Sequence, residues 1–205
     1  MLLIREIAGN LYFLILVKNL VIVPDETIIA QTRNWITAVV IGCNFCPFAA
    51  GVVRRNSIYY EVLQPAGLTS CLEALTGLFH KLDNEPAIET LFLVIPDAFE
   101  SFDSYLELVG LSEKILKDQG YEGIYQIASF HPHYLFAGSG SEDAANYTNR
   151  SPYPMLHILR EESVTRAIEN YPGTENIPNR NIAFARAKGQ VFMESLKNSS
   201  FTGQE

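Results

Sequence analysis

Apolar side chains recur at three- and four-residue spacing from Asp25 onward, at Ile28, Ile29, Trp35, Ile36, Val39 and Val40, with Thr32 on the same face. That is a helical period, with Asp25 placed to cap the first turn and Gly42 to end the run. Ser57 to Leu63 is β-branched and aromatic and predicts a strand, closed by the turn Pro65-Ala66-Gly67. Leu68, Leu72, Leu75, Phe79 and Leu82 draw a second helical stripe, and Cys71 beside it reads as a small core residue. Thr90 to Ile95 is an unbroken apolar run stopped by Pro96, the pattern of a strand buried on both faces. Phe102, Tyr105, Leu106, Val109, Ile115 and Leu116 predict a further helix ended by Gly120, and Ile124 to Phe130 a third strand.

Periodicity then stops. Residues 131–154 are rich in His, Tyr, Asn, Asp, Gly and Pro and read as a long loop, a feature uncommon in compact domains and often functional. Ser151 as N-cap and Pro152 in the first turn predict a helix from there to about Asn170, stopped by Pro172-Gly173. A last helix is expected from near Pro178, carrying Ile182, Ala185, Val191, Phe192 and Leu196. The alternation of helix and strand predicts an α/β (or α+β) fold, a small parallel or mixed sheet of about three or more strands with helices packed on it.

The expected organisation is a hydrophobic N-terminal extension over residues 1–24, one globular domain over 25–197 and a polar tail over 198–205. The apolar runs Leu11 to Val17 and Leu20 to Val23 are broken by Lys18-Asn19 and followed by Pro24-Asp25. They fall short of the roughly 20 apolar residues of a membrane span, and no small-residue cleavage site follows.

Composition changes the picture in two ways. A formal charge of -8 with no basic run opposes nucleic-acid binding, although a local arginine pair could still recruit a small anionic molecule. Three cysteines, Cys43, Cys46 and Cys71, are too few for a disulfide framework in 205 residues and fit a reducing, cytoplasmic compartment. Asn146, Asn149 and Asn198 each open a glycosylation sequon, a signal that counts only in a secreted eukaryotic chain. Nothing in the pattern fixes an oligomeric state.

Chemistry-bearing residues gather in three segments. Cys43-Asn44-Phe45-Cys46 is a C-x-x-C pair, but it follows a helix where redox use expects it to open one, and no second pair completes a zinc site. His131 and His133 stand two apart at the end of the third strand, pointing the same way where ligands of open α/β sheets gather, although a histidine there can equally bond the loop backbone. In the third segment Arg150 would flank a helix N-terminus that favours an anion, and His157, Arg160 and Glu161 would share one face of that helix. Asp143 and Glu161 could instead pair with the arginines and pin the loop.

These residues bring a family into view. Cys46-Pro47-Phe48-Ala49, Phe130-His131-Pro132 with Tyr134 and Phe136, the block Asn146 to Glu161, and Ile177-Pro178 with Asn181-Ile182 resemble an uncharacterised bacterial family, domain of unknown function fourteen-fifteen, over roughly residues 27 to 190. The resemblance implies no activity. It implies that Cys46, His131, Asp143, Asn146, Asn149, Arg150, His157, Arg160 and Glu161 belong to a shared pattern. That pattern is apolar where this chain has Cys43 and variable at His133, which weighs against the C-x-x-C and H-x-H readings.

Two functional classes follow. In one, Cys46, His131 and His157 meet in a cleft, Arg150 and Arg160 with Asn146 and Asn149 bind a small anionic substrate, and Asp143 or Glu161 orients a histidine for thiolate chemistry. The same His131, His157 and Cys46 would also suit a mononuclear divalent metal. In the other, the chain is a non-catalytic module for a small ligand or a protein, and its histidines are structural.

Overall fold

A computed structural model describes residues 23–202. Apart from Val23 and Pro24, the expected hydrophobic extension lies outside the described residues. The expected tail does not hang free as far as residue 202: Ser199–Phe201 form a 3-10 turn, Ser200 is buried, and its carbonyl accepts a 3.4 Å bond from Asn34.

The elements in chain order are α1 (Asp25–Trp35), which runs on as a π-helical turn over Ile36–Ile41, α2 (Ala49–Arg55), β1 (Ile58–Val62), α3 (Leu68–Asn84), β2 (Thr90–Val94), α4 (Phe102–Asp118), β3 (Tyr125–Phe130), β4 (Met155–Arg160), α5 (Glu161–Glu169), α6 (Ile177–Lys188) and α7 (Gln190–Asn198). The sheet is mixed and its order is β1-β2-β4-β3; β1 and β2 are parallel, and β4 runs antiparallel to both its neighbours. The α/β expectation holds.

Alternation along the strands sorts side chains into two cores. Leu91, Leu93, Ile95, Leu156, Ile158 and Tyr125 pack under α3 and α4. Phe92, Val94 and Met155 face the opposite way, against Ile28, Trp35, Ile36 and Val39 of the α1–π segment, Ala185 of α6 and Met193 of α7. The result is a helix–sheet–helix sandwich.

One predicted element is replaced. Ser151-Pro152 does not open a helix: the Ser151 hydroxyl donates to the Tyr153 carbonyl at 2.6 Å, and residues 155–160 form the central strand β4. Pro152 and Pro154 each disfavour helical backbone in the residue before them, so the chain enters extended. The helix begins only at Glu161. The predicted C-terminal helix is likewise two, parted at Gly189, whose φ of 79° is costly for residues with a Cβ.

The π-helical turn has its own steric lock. The Gly42 amide donates to the Thr37 carbonyl, five residues back, at 3.0 Å, and a Cβ on Gly42 would lie 2.2 Å from the Ala38 carbonyl oxygen. This turn delivers the Cys43–Cys46 segment and α2, an element that periodicity did not reveal, to the edge of the sheet.

Candidate functional site

A cavity of about 450 Å³ lies on the α1 side of the sheet. Its floor is Ile58, Phe92, Phe130, His157 and Leu159 from the strands; one wall is Trp35, Ile36 and Val40; the others come from Cys46 to Val52 and from Val164 and Ala167 of α5. Neither α2 nor α5 has a fully buried residue, because their apolar faces line this hollow and do not close onto the core. Val164 and Ala167 stand three apart on α5, the spacing that puts them on one face.

His157 is the polar group on the floor. Its imidazole stacks on Phe92 of the neighbouring strand, with ring centroids 4.0 Å apart and planes within 3°. Thr90 Oγ1 lies 2.6 Å from His157 Nε2 and 2.7 Å from the Ile158 carbonyl. A carbonyl can only accept, so the threonine hydroxyl donates there and must accept from the ring. Nε2 therefore carries the proton and Nδ1 presents a lone pair. Among the described residues Nδ1 has no hydrogen-bond partner. The ring is packed on nearly all sides yet keeps some exposed surface on the cavity, and burial pushes its pKa down to about 3.

Cys46 lines the same cavity and is half-buried, so the structure brings two of the three residues expected to share a cleft to one hollow. It does not bring the third. Strand alternation puts His131, like Tyr125, on the α4 side of the sheet, and its ring packs against Tyr105 and Phe102. His131 is completely buried; its Nδ1 accepts from the His133 amide at 3.0 Å, so its Nε2 donates to the Phe99 carbonyl at 2.8 Å. Burial lowers its pKa, and repulsion from His133 and Lys197 adds to that. Both nitrogens are spent on backbone. Among the described residues no group of three His, Cys, Asp or Glu side chains is placed to hold a metal ion, so the expected His131, His157 and Cys46 ligand set is not assembled.

The arginines are also separated. With β4 extended, His157 and Arg160 point to opposite faces of the sheet, where a shared helical face was expected. Arg160 donates to the carbonyls of Leu82, Ile88 and Glu85 at 2.6, 2.9 and 3.3 Å, closing the C-terminal end of α3. Arg150 donates to the carbonyls of Tyr134 and Ser141 at 3.1 and 3.0 Å and lies over the Tyr147 ring. Asn146, fully buried, holds Phe136 and Gly140, and Asn149 Nδ2 donates to the Ser129 carbonyl. Asp143 caps the 3-10 turn Ala144–Thr148 by accepting from the Ala145 amide and forms a two-pronged ion pair with Arg186 at 2.7 and 3.1 Å. Arg186 above all, then the Ala145 amide, holds the Asp143 carboxyl well below the usual range. Glu161 opens α5, and among the described residues neither it nor Asp143 bonds a histidine. The polar block of the long loop is thus a set of backbone clamps.

All three cysteines are free, and Cys43 and Cys71 are buried in the two cores, where burial raises both thiols, Cys71 to about 11. The residues that shape the cavity and escaped sequence reasoning are Thr90, Phe92 and the α2 segment. Thr90 carried a usable signal, as the polar residue opening an otherwise apolar strand.

A model of the family described as "Protein of unknown function (DUF1415)" matches residues 27–195. No curated protein and no solved structure matches the chain.

Proposed function

We infer, for a chain that belongs to the DUF1415 family of proteins of unknown function, that the domain binds a small, mainly apolar molecule carrying an N–H or O–H group, in the cavity floored by His157. The observation that carries this reading is the Nδ1 lone pair, without a partner among the described residues, on the floor of a hollow lined mainly by aromatic and aliphatic groups. Its volume of about 450 Å³ falls in the roughly 300–1,000 Å³ range of ligand pockets, which pair an apolar lining with a few polar groups that fix orientation.

Binding is favoured over thiolate catalysis by the state of the ring. A histidine that activates a cysteine must take up its proton, and an imidazole pushed to about 3 resists that near neutral pH. Among the described residues no carboxylate bonds the ring to steady an imidazolium; its partner is the Thr90 hydroxyl. A neutral, tautomer-locked ring is suited to accepting a hydrogen bond.

The test is titration with N-phenyl-1-naphthylamine, a neutral fluorophore with one N–H that brightens in apolar surroundings. Saturable binding is expected, abolished by Ala167→Trp, which fills the cavity, and weakened about threefold to tenfold by His157→Phe, the worth of one hydrogen bond. Absence of saturable binding, or binding indifferent to Ala167→Trp, overturns the reading.

A further inference from the structure

The cavity is joined to a second, more open hollow of about 550 Å³, and the two share Phe48, Arg55, Glu89, Ser163 and Ala167 as a common wall. The chemistry changes across that wall. Away from that wall the inner chamber is mostly hydrocarbon, with Cys46, Arg54, Thr90, His157 and Arg160 as its polar residues, whereas the outer one adds Arg166, Asn170 and Tyr171. Resting on the reading of the inner chamber given above, we propose that the ligand is an anionic amphiphile bearing one carboxylate, its apolar body and donor group in the inner chamber and its head among the arginines of the outer one.

The charge balance selects the head. Glu89 is already engaged: Arg55 grips both its oxygens at 2.5 and 2.7 Å, and the Ser57 hydroxyl donates to it at 2.7 Å. Arg166 donates to the Ser163 hydroxyl at 3.4 Å and has one loose, exposed ion-pair partner among the described residues, Glu162 at 3.5 Å, of the kind worth little in water. Arg54 lines the inner chamber, is exposed, and has no ion-pair partner among the described residues. Arg55 is thus spent on Glu89 and Arg160 on backbone carbonyls, which leaves Arg54 and Arg166 against the loosely held Glu162 in a chain whose net charge is -8, a local reversal of sign that suits a single negative charge. The shared wall sets the ligand's direction, because a charged head is costly in the inner chamber and an apolar body gains nothing in the outer one.

Competition against N-phenyl-1-naphthylamine with 10-hydroxydecanoate and with its methyl ester tests this, since the ester caps the head with one methyl group and removes its charge. The acid is expected to displace the fluorophore at about tenfold lower concentration than the ester. That preference, read as the ratio of the two potencies in the same protein, should vanish in the Arg54→Gln/Arg166→Gln variant and should shrink in 0.5 M salt. Equal potency of acid and ester, or a preference that survives both substitutions, overturns the anionic head while the apolar site stands. Loss of fluorophore binding in the unmodified protein removes both proposals together.

Discussion

Acidification should unfold this protein through His157, and the size of the effect follows from the ring's surroundings. In the unfolded chain the imidazole titrates near its ordinary value of 6.5, whereas in the fold burial holds it at about 3. A depressed histidine pKa means that the unfolded state binds the extra proton. Its contribution is therefore intact above about pH 6.5 and is lost progressively as pH falls toward 3. At pH 7.5 the loss is negligible; at pH 5.0 it is about 2 kcal/mol, using 1.36 kcal/mol per unit of proton affinity. With a urea dependence of about 2 kcal/mol per molar, that moves the unfolding midpoint by about 1 M. His131, also depressed, works in the same direction, so the wild-type shift alone does not isolate His157. The comparison is with His157→Phe, which keeps the stack on Phe92 and has no titrating nitrogen. Urea unfolding of both proteins at pH 7.5 and 5.0 should show the variant losing about 2 kcal/mol less on acidification. Equal losses would refute a neutral, desolvated ring at this position.

Other expectations follow from single contacts. Gly42→Ala should cost at least about 1–3 kcal/mol, because its Cβ would press on the Ala38 carbonyl from 2.2 Å, and thermal unfolding measures it. Arg160→Leu should destabilise by about 3 kcal/mol or more by orphaning several carbonyls at the end of α3, and hydrogen exchange should rise first in residues 82–88. Asp143→Ala should leave the sheet intact while releasing Arg186 and the Ala145 amide; limited proteolysis should then cut within residues 136–149 in the variant and not in the wild type. Alkylation of native protein should reach Cys46 ahead of Cys43 and Cys71, and saturation with N-phenyl-1-naphthylamine should slow it, as peptide mapping would show.

The parts of the fold legible in the sequence were those that a single physical signal dictates. The stripe Leu75-Phe79-Leu82 is a helix because it has one face to bury, and Thr90–Val94 is a strand because it must bury two. Met155–Arg160 misled because local and tertiary signals disagree there: a good N-cap residue and proline precede residues that suit a helix, and pairing on both sides of β4 overrides them. That one misreading displaced half the expected site, since helical spacing puts His157 beside Arg160 and strand spacing puts the sheet between them. His131 shows a different limit. Its position at a strand end was legible, but whether its nitrogens faced a ligand or the carbonyl of Phe99 depended on a turn 32 residues away. Thr90 passed as the first residue of an apolar run, and its role in locking a tautomer exists only once β2 and β4 are neighbours.

The place of β4 bears on how the chain can be synthesised without mishap. β2 and β3 have no pairing with each other; residues 155–160 must slide between them, after the other three strands of the sheet have been synthesised. Until then both strands present open backbone edges on a half-built sheet, which invites association between nascent chains. Wedging β4 into the middle leaves closure of the sheet to residues 155–160, so a nascent chain that ends before them cannot bury either edge.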